Sequence, residues 1–345
     1  MENSEKKISN WEKTRCRKID RRRRRLNKGR RKKAARHKQT PLVQSQHDKK
    51  RRAHEQRMVA PKHLSILENA NETLHYFNSV YSVFLNCKKG GDRVYFDLSG
   101  VEYITVDAVM YLIALVNNVK RVSAFNIPCA GNVPDNAEAR NVITRVGFYQ
   151  HVSSVHTRAE MMDDKQVKIT KGKDANGLLS SQVVDFVRRT GGSHMEGTKR
   201  LYPMLIELMT NTAQHAYNEK SIMAKNWYVF AENEGSRIRV VFLDTGEGIP
   251  STIRKNFFEV LKSKIIDSDA QFIASALRGE FRSETKESHR GRGLPEIRTD
   301  VEEAMIAEMQ IISGRGHCKL TPGNEIETTA LKEDLKGTLF SWCFQ

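Results

Sequence analysis

Glu207-Leu208-Met209-Thr210-Asn211-Thr212-Ala213-Gln214-His215-Ala216 is the stretch on which the rest of the chain turns. It lies in a run, 201–217, whose apolar residues Leu201, Leu205 and Leu208, with Tyr202, Ile206 and Met209, recur at helical spacing. The spacing predicts a helix. Glu207 and Asn211 are one turn apart, so both project from one stripe of it. An acid and an amide inside an apolar helix are costly to bury without partners. Alone, the pair reads first as the solvated edge of an amphipathic helix. Residues downstream decide its meaning.

Two strand-like runs come next, 227–231 and 237–243, with Glu234-Gly235-Ser236 as the turn of a β-hairpin. The second run ends in Asp244-Thr245-Gly246-Glu247-Gly248-Ile249-Pro250. Two glycines one residue apart permit positive φ and close approach of backbone to a ligand. An Asp at a buried strand end can accept a hydrogen bond from an amino group; it can also simply close an Asp-Thr-Gly turn. A long polar segment, 251–290, separates this from Gly291-Arg292-Gly293-Leu294-Pro295, which opens a short helix through Asp300. Glycines before a helix N-terminus make a phosphate cradle. Residues 306–313 and 337–344 read as two more strands, with 314–336 as a connection that has room for short strands of its own.

Taken in order, Glu207-x-x-x-Asn211, Asp244-x-Gly246-x-Gly248, Gly291-x-Gly293-Leu294 and Gly337-Thr338 resemble the four ATP-site motifs of the GHKL superfamily, which includes gyrase, histidine kinases and MutL. The resemblance covers residues 178–345 and implies a Bergerat-type α/β sandwich that binds ATP with Mg²⁺. It implies that Asp244 binds the adenine amino group and that Gly246 and Gly248 shape the pocket. Asn211 would hold Mg²⁺ against the phosphates, and amides around Gly291, Arg292, Gly293 and Leu294 would wrap them. Thr338 would lie behind the adenine, and residues 251–290 would form the ATP lid. Glu207 would be the catalytic base, activating water or a serine hydroxyl. Asn211 through Ala216 is most similar to the anti-sigma-factor kinases, where His215 would face the phosphates or cap the helix core. Gyrase-like and MutL-like clamps take a lysine from a following domain. The sequence ends at Gln345, so such a clamp is not expected here.

Upstream, 93–98 reads as a strand, 106–119 as an apolar helix, 122–127 as a strand and 135–146 as a helix closed by Gly147. Alternating strands and helices imply a sheet covered by helices. Asp97-Leu98-Ser99-Gly100-Val101-Glu102-Tyr103-Ile104, and later Asn141 to Phe148, resemble the STAS domain of anti-anti-sigma factors, which would be a regulatory, partner-binding module spanning 61–155. Aligned this way, the family's acceptor serine falls on Asp107 and the preceding Asp on Thr105. Asp107 would imitate a phosphorylated acceptor or favour the positive helix N-terminus; Thr105 would be a substitute acceptor. Residues 156–177 read as a polar linker.

Charge is concentrated at one end. Residues 1–62 hold 24 of the 58 Lys and Arg and 6 of the 41 acidic residues, so the remainder is close to neutral. The segment 1–60 is therefore a cationic arm on a neutral globular protein. Its apolar residues are too few to offset ordering entropy. It is expected to contact nucleic acid or another polyanion through phosphates and without sequence specificity. Five scattered cysteines lack metal-ligand or redox spacing and suit a reducing, cytoplasmic setting. No apolar run is long enough for a membrane span. Two functions stay open: ATP hydrolysis or phosphoryl transfer to Ser/Thr, and an ATP-dependent binding switch with little turnover acting on a protein or nucleic-acid partner.

Overall fold

A run of alternating apolar residues whose two faces are both buried must be covered on both sides. The C-terminal half contains such runs, and the two coverings define the architecture. The computed structural model describes residues 55–86, 93–122, 127, 129–152, 163–191, 195–214, 226–256, 267–281, 293–303 and 306–344. Most of the basic arm, together with His215, Gly291 and Arg292, lies outside these residues.

The protein is mixed α/β, with parallel and antiparallel sheets. Its first part holds strands β1 (Glu55–Val59), β2 (His63–Leu64), β3 (Arg93–Asp97), β4 (Tyr103–Ile104) and β5 (Cys129–Gly131). Helices α1 (Ala70–Asn86), α2 (Val106–Val122), α3 (Ala137–Arg145) and α4 (Phe148–Val152) alternate with them. Strands β1, β3 and β5 form a parallel sheet in that order, and β2 pairs with β4. The Asn136 side chain caps α3 by accepting from Ala139 N at 3.0 Å, and Gly147 takes φ +88° after it. Of the strand expected at 122–127, Val122 ends α2 and residues 123–126 lie outside the described residues; the third strand of the sheet is Cys129–Gly131.

The second part holds β6 (Gln166–Gly172), α5 (Gly177–Thr190), α6 (Met195–Gln214), β7 (Trp227–Asn233), β8 (Ile238–Asp244), α7 (Ile249–Asn256), α8 (Asp269–Leu277), α9 (Gly293–Glu302), β9 (Glu308–Leu320) and β10 (Glu327–Phe344). Its sheet runs β6-β7-β8-β10-β9 and is antiparallel throughout. Three sequence expectations need correction. Residues 166–172, read as linker, are the edge strand β6. Residues 314–336 are the extension of β9 and β10 into one long hairpin. The polar segment 251–290 contains the buried helix α8, held in the core by Phe272, Ile273, Ala274 and Leu277.

Sheet side chains alternate between two cores. Val240 and Phe242 join the core formed with α5, α6, α8 and α9. Val241 and Leu243 join the core formed with α1 and α2. Tyr228 and Phe230 of β7 follow the second pattern, and Trp227 and Val229 the first. Buried aromatics such as Trp227, Tyr228, Phe230, Phe242 and Trp342 each remove roughly 150–250 Å² from water, about 4–6 kcal/mol of transfer free energy before entropy is charged. The N-terminal helices therefore form one outer layer of the C-terminal sheet, and Ala53–Gln345 is one compact unit.

Candidate functional site

Strand β8 reads Ile238-Arg239-Val240-Val241-Phe242-Leu243-Asp244. Its apolar run fixes it in the centre of the sheet, so the terminal Asp244 is carried inside and only 8% exposed. Trp227 stands opposite it on β7 and Thr338 opposite it on β10. Asp244 Oδ1 accepts from Gly246 N at 2.7 Å, which folds the loop back over the strand end. Burial pushes the Asp244 carboxyl up to about 6, against the opposing effect of the Gly246 N–H and the Thr338 hydroxyl. A carboxylate so placed has strong acceptor capacity and little water to satisfy it.

Ser313, in the middle of β9 and assigned no role from the sequence, ties this loop together. Its Oγ donates to Gly337 O at 3.0 Å, accepts from Ile249 N at 2.9 Å, and lies 3.1 Å from Thr338 Oγ1. Gly248 takes φ +82°, and a Cβ there would stand 2.7 Å from Ser313 Oγ. Gly337 takes φ +127°, and a Cβ there would stand 2.0 Å from the Asp244 carbonyl oxygen. Both positions need glycine on conformation and on space.

The structure thus brings Asp244, Gly246, Gly248 and Thr338 together. Leu294, at the start of α9, packs with Ile249 against Ile253, Phe272, Ala276 and Phe281, which sets the α9 N-terminus beside the Asp244 loop. Gly293 is the first residue of α9, as expected for a helix opened by glycines. Glu207 and Asn211 stand on α6, half-buried and exposed respectively. That helix begins six residues earlier than its periodicity indicates and contains Pro203. It packs against α5 and α9, so α9 is the bridge between the two halves of the site. Asp300 of α9 is buried, lies 3.6 Å from Arg200 of α6, and is pushed up to about 6 by burial against the pull of Arg200. Sequence reading gave it no part.

In the segment expected as a lid, Arg254 of α7 bonds Asp269 of α8 at 2.6 Å and lies 4.5 Å from the Phe272 ring centroid. Asp269 also accepts from Arg315 N at 2.8 Å. Gly314, with φ +58°, and Gly316 let α8 lie directly on β9; a Cβ on Gly316 would meet Ala270 N at 2.5 Å. Among the described residues no group of three His, Cys, Asp or Glu could hold a metal ion by itself. Asn211 offers a single exposed amide oxygen, a hard donor that suits Mg²⁺ when phosphate oxygens and water complete the shell.

In the N-terminal part Asp107 has a structural task. It is buried, and its Oδ2 accepts from Ile66 N at 2.7 Å and Leu67 N at 3.3 Å. These bonds fasten the turn before α1. Burial pushes its carboxyl up while the hydrogen bonds oppose the shift. The Thr105 hydroxyl is buried too, which removes it from the reach of an external phosphoryl donor in this conformation. No described helix is long and apolar enough to cross a membrane.

No protein-family model matches the chain, and no curated protein matches it.

Proposed function

We propose that this protein binds Mg-ATP through its C-terminal part, as a GHKL-type Bergerat domain fused to a STAS-like module, and that Glu207 is the base for ATP hydrolysis or phosphoryl transfer to Ser/Thr. The observation that carries the reading is the buried Asp244 carboxylate at the strand end, opposite Thr338 and under a loop that requires glycine at 248. Gly246 N donates to its Oδ1 and the Thr338 hydroxyl bears on the same carboxylate, whose remaining lone pairs would accept from an exocyclic amino group. Bound Mg²⁺ would neutralise phosphate charge, with Asn211 as its protein donor. Glu207, one helical turn earlier, is on the same stripe and would take the proton from the attacking water or hydroxyl. Leu294 and the residues before it would close over the phosphates.

A second reading, an ATP-dependent switch with little turnover, is favoured by the placement of α1 and α2 on the sheet that carries Asp244 and Thr338. Nucleotide occupancy would then be felt by the partner-binding module. Glu55–Val59, expected as the end of the arm, is strand β1, so residues 1–54 would tether the protein to nucleic acid or another polyanion, in the cytoplasm. The test is calorimetric titration of the full chain with ATP, with and without Mg²⁺. Micromolar to low-millimolar binding that needs Mg²⁺ supports the reading; absence of any nucleotide heat or competition sinks it.

A further inference from the structure

Strand β10 is irregular immediately before Thr338. Ala330 pairs with Gly316 and Thr338 with Ser313, so eight steps along β10 are matched by three along β9. An excess of this kind is a bulge that bends the strand and re-aims the residues after it. Bulged backbone leaves the ladder, so its polar groups need other partners. Here the N-terminal helices supply them. Lys336 N donates to the Tyr111 hydroxyl of α2 at 3.2 Å. Asn78 Nδ2 of α1 donates to Asp334 O at 3.1 Å and to Glu333 Oε2 at 3.0 Å. Lys332 N donates to Asn71 Oδ1 at 2.8 Å. Leu331 and Leu335 are buried in the core of α1 and α2.

We propose that Tyr111 and Asn78 are positioning residues for the nucleotide site: they hold the bulged stretch 331–336 so that Gly337 and Thr338 meet Asp244. The inference rests on the Mg-ATP reading and extends it. Tyr111 is fully buried and packs 5.0 Å from the Phe77 ring, centroid to centroid, so its hydroxyl is delivered to Lys336 N by a rigid surround. Two residues later comes Thr338. The N-terminal module therefore supplies part of the geometry of the C-terminal site, and nucleotide binding and the packing of α1 and α2 are reciprocally linked.

The test uses the full chain and Mg-ATP. Tyr111→Phe keeps the ring and leaves Lys336 N without its acceptor. Asn78→Ala, on a half-buried helical position, removes two bonds and keeps helix propensity. Tyr76→Phe is the control: Tyr76 is a buried tyrosine of the same core whose hydroxyl has no hydrogen-bond partner among the described residues. The first two variants should weaken Mg-ATP at least about 5-fold with the fold retained, and the control should stay within about 2-fold. Hydrogen exchange supplies a readout that a loss of bulk stability would not mimic. In wild type, saturating Mg-ATP should slow exchange across 331–336 and α1. In Tyr111→Phe this ATP-dependent slowing should vanish at ATP concentrations that still saturate. Wild-type affinity in both variants, or unchanged exchange across 331–336 on ATP binding, overturns the inference and leaves the ATP reading standing. Failure of wild type to bind ATP removes both. If Tyr111→Phe does not fold, Asn78→Ala decides.

Discussion

Asp244 and Thr338 face one another across the β8–β10 ladder, and the Thr338 hydroxyl lies 3.1 Å from Ser313 Oγ on the next strand. A chain of three side chains thus crosses three adjacent strands at one end of the sheet. On the Mg-ATP reading the buried carboxylate at its head would set ligand preference, and its burial bears on stability.

Asp244→Asn should abolish tight ATP binding and at the same time stabilise the free protein. Burial raises the carboxyl from its ordinary 3.8 to about 6. Between those values the folded state holds a proton that the unfolded chain releases, so stability falls as pH rises through the window. Above about 6 the whole cost of the buried charge is present, on the order of 1–3 kcal/mol. Asn keeps an acceptor for Gly246 N and carries no charge. Denaturant midpoints at about pH 4.5 and 7.5 should show the variant gaining on wild type at the higher pH. A variant that loses stability equally at both, while binding ATP normally, contradicts the assignment.

Gly337→Ala should be far more damaging than Gly323→Ala. Both glycines have positive φ, but a Cβ at 337 meets the Asp244 carbonyl oxygen at 2.0 Å while the space around 323 is open. The second change costs only conformational strain, about 1–2 kcal/mol. The first must also part β10 from β8, so roughly 3 kcal/mol or more is expected, with loss of nucleotide binding. Thermal melts of the two variants give the comparison directly. Similar melting temperatures would mean that the β8–β10 contact yields without cost.

Asp107→Ser would restore the side-chain type of a phosphorylatable module and should destabilise the protein. The shorter side chain leaves the buried Ile66 amide without its acceptor, about 1–3 kcal/mol, and loosens the half-buried Leu67 amide at smaller cost. Folded wild-type protein incubated with labelled ATP should carry no label on Thr105, whose hydroxyl is buried. Label at Thr105 detected by peptide mapping would show that the turn before α2 opens.

Local signals were legible where local physics decides. The β7–β8 hairpin followed from two apolar runs and Gly235, which takes φ +92°. Helix α3 followed from the run 135–146 and the closing Gly147. Strand β6 was illegible because an edge strand carries lysines, here Lys168 and Lys171, and so reads as linker. Helix α8 was hidden as a short apolar island in a polar segment. The bulge of β10 had no local signature at all, since its partners Asn78 and Tyr111 lie more than 200 residues away. Ser313 and Asp300 were missed for the same reason: an ordinary serine and aspartate gain meaning only from the strands and helices that bury them.

The remaining prediction separates enzyme from switch. Glu207 is half-buried on α6, one turn before the exposed Asn211, so a carboxylate and an amide point from one stripe at different depths. If Glu207 is the base, Glu207→Ala should leave Mg-ATP affinity close to wild type, because the base acts on the attacking oxygen rather than on bound nucleotide. Removing a carboxylate near the phosphates would tighten binding if anything. Hydrolysis or transfer should fall by at least about 10²-fold. Asn211→Ala should do the opposite, removing the Mg²⁺-dependent part of affinity. Single-turnover conversion of labelled ATP, with ADP, phosphate and labelled protein separated, reports both variants. Free phosphate alone marks an ATPase, and label on a Ser or Thr hydroxyl marks a kinase. A wild-type protein that binds Mg-ATP and forms neither product over hours is a switch, with Glu207 serving α6 structurally. Wild-type turnover in the Glu207 variant would exclude that side chain as the base.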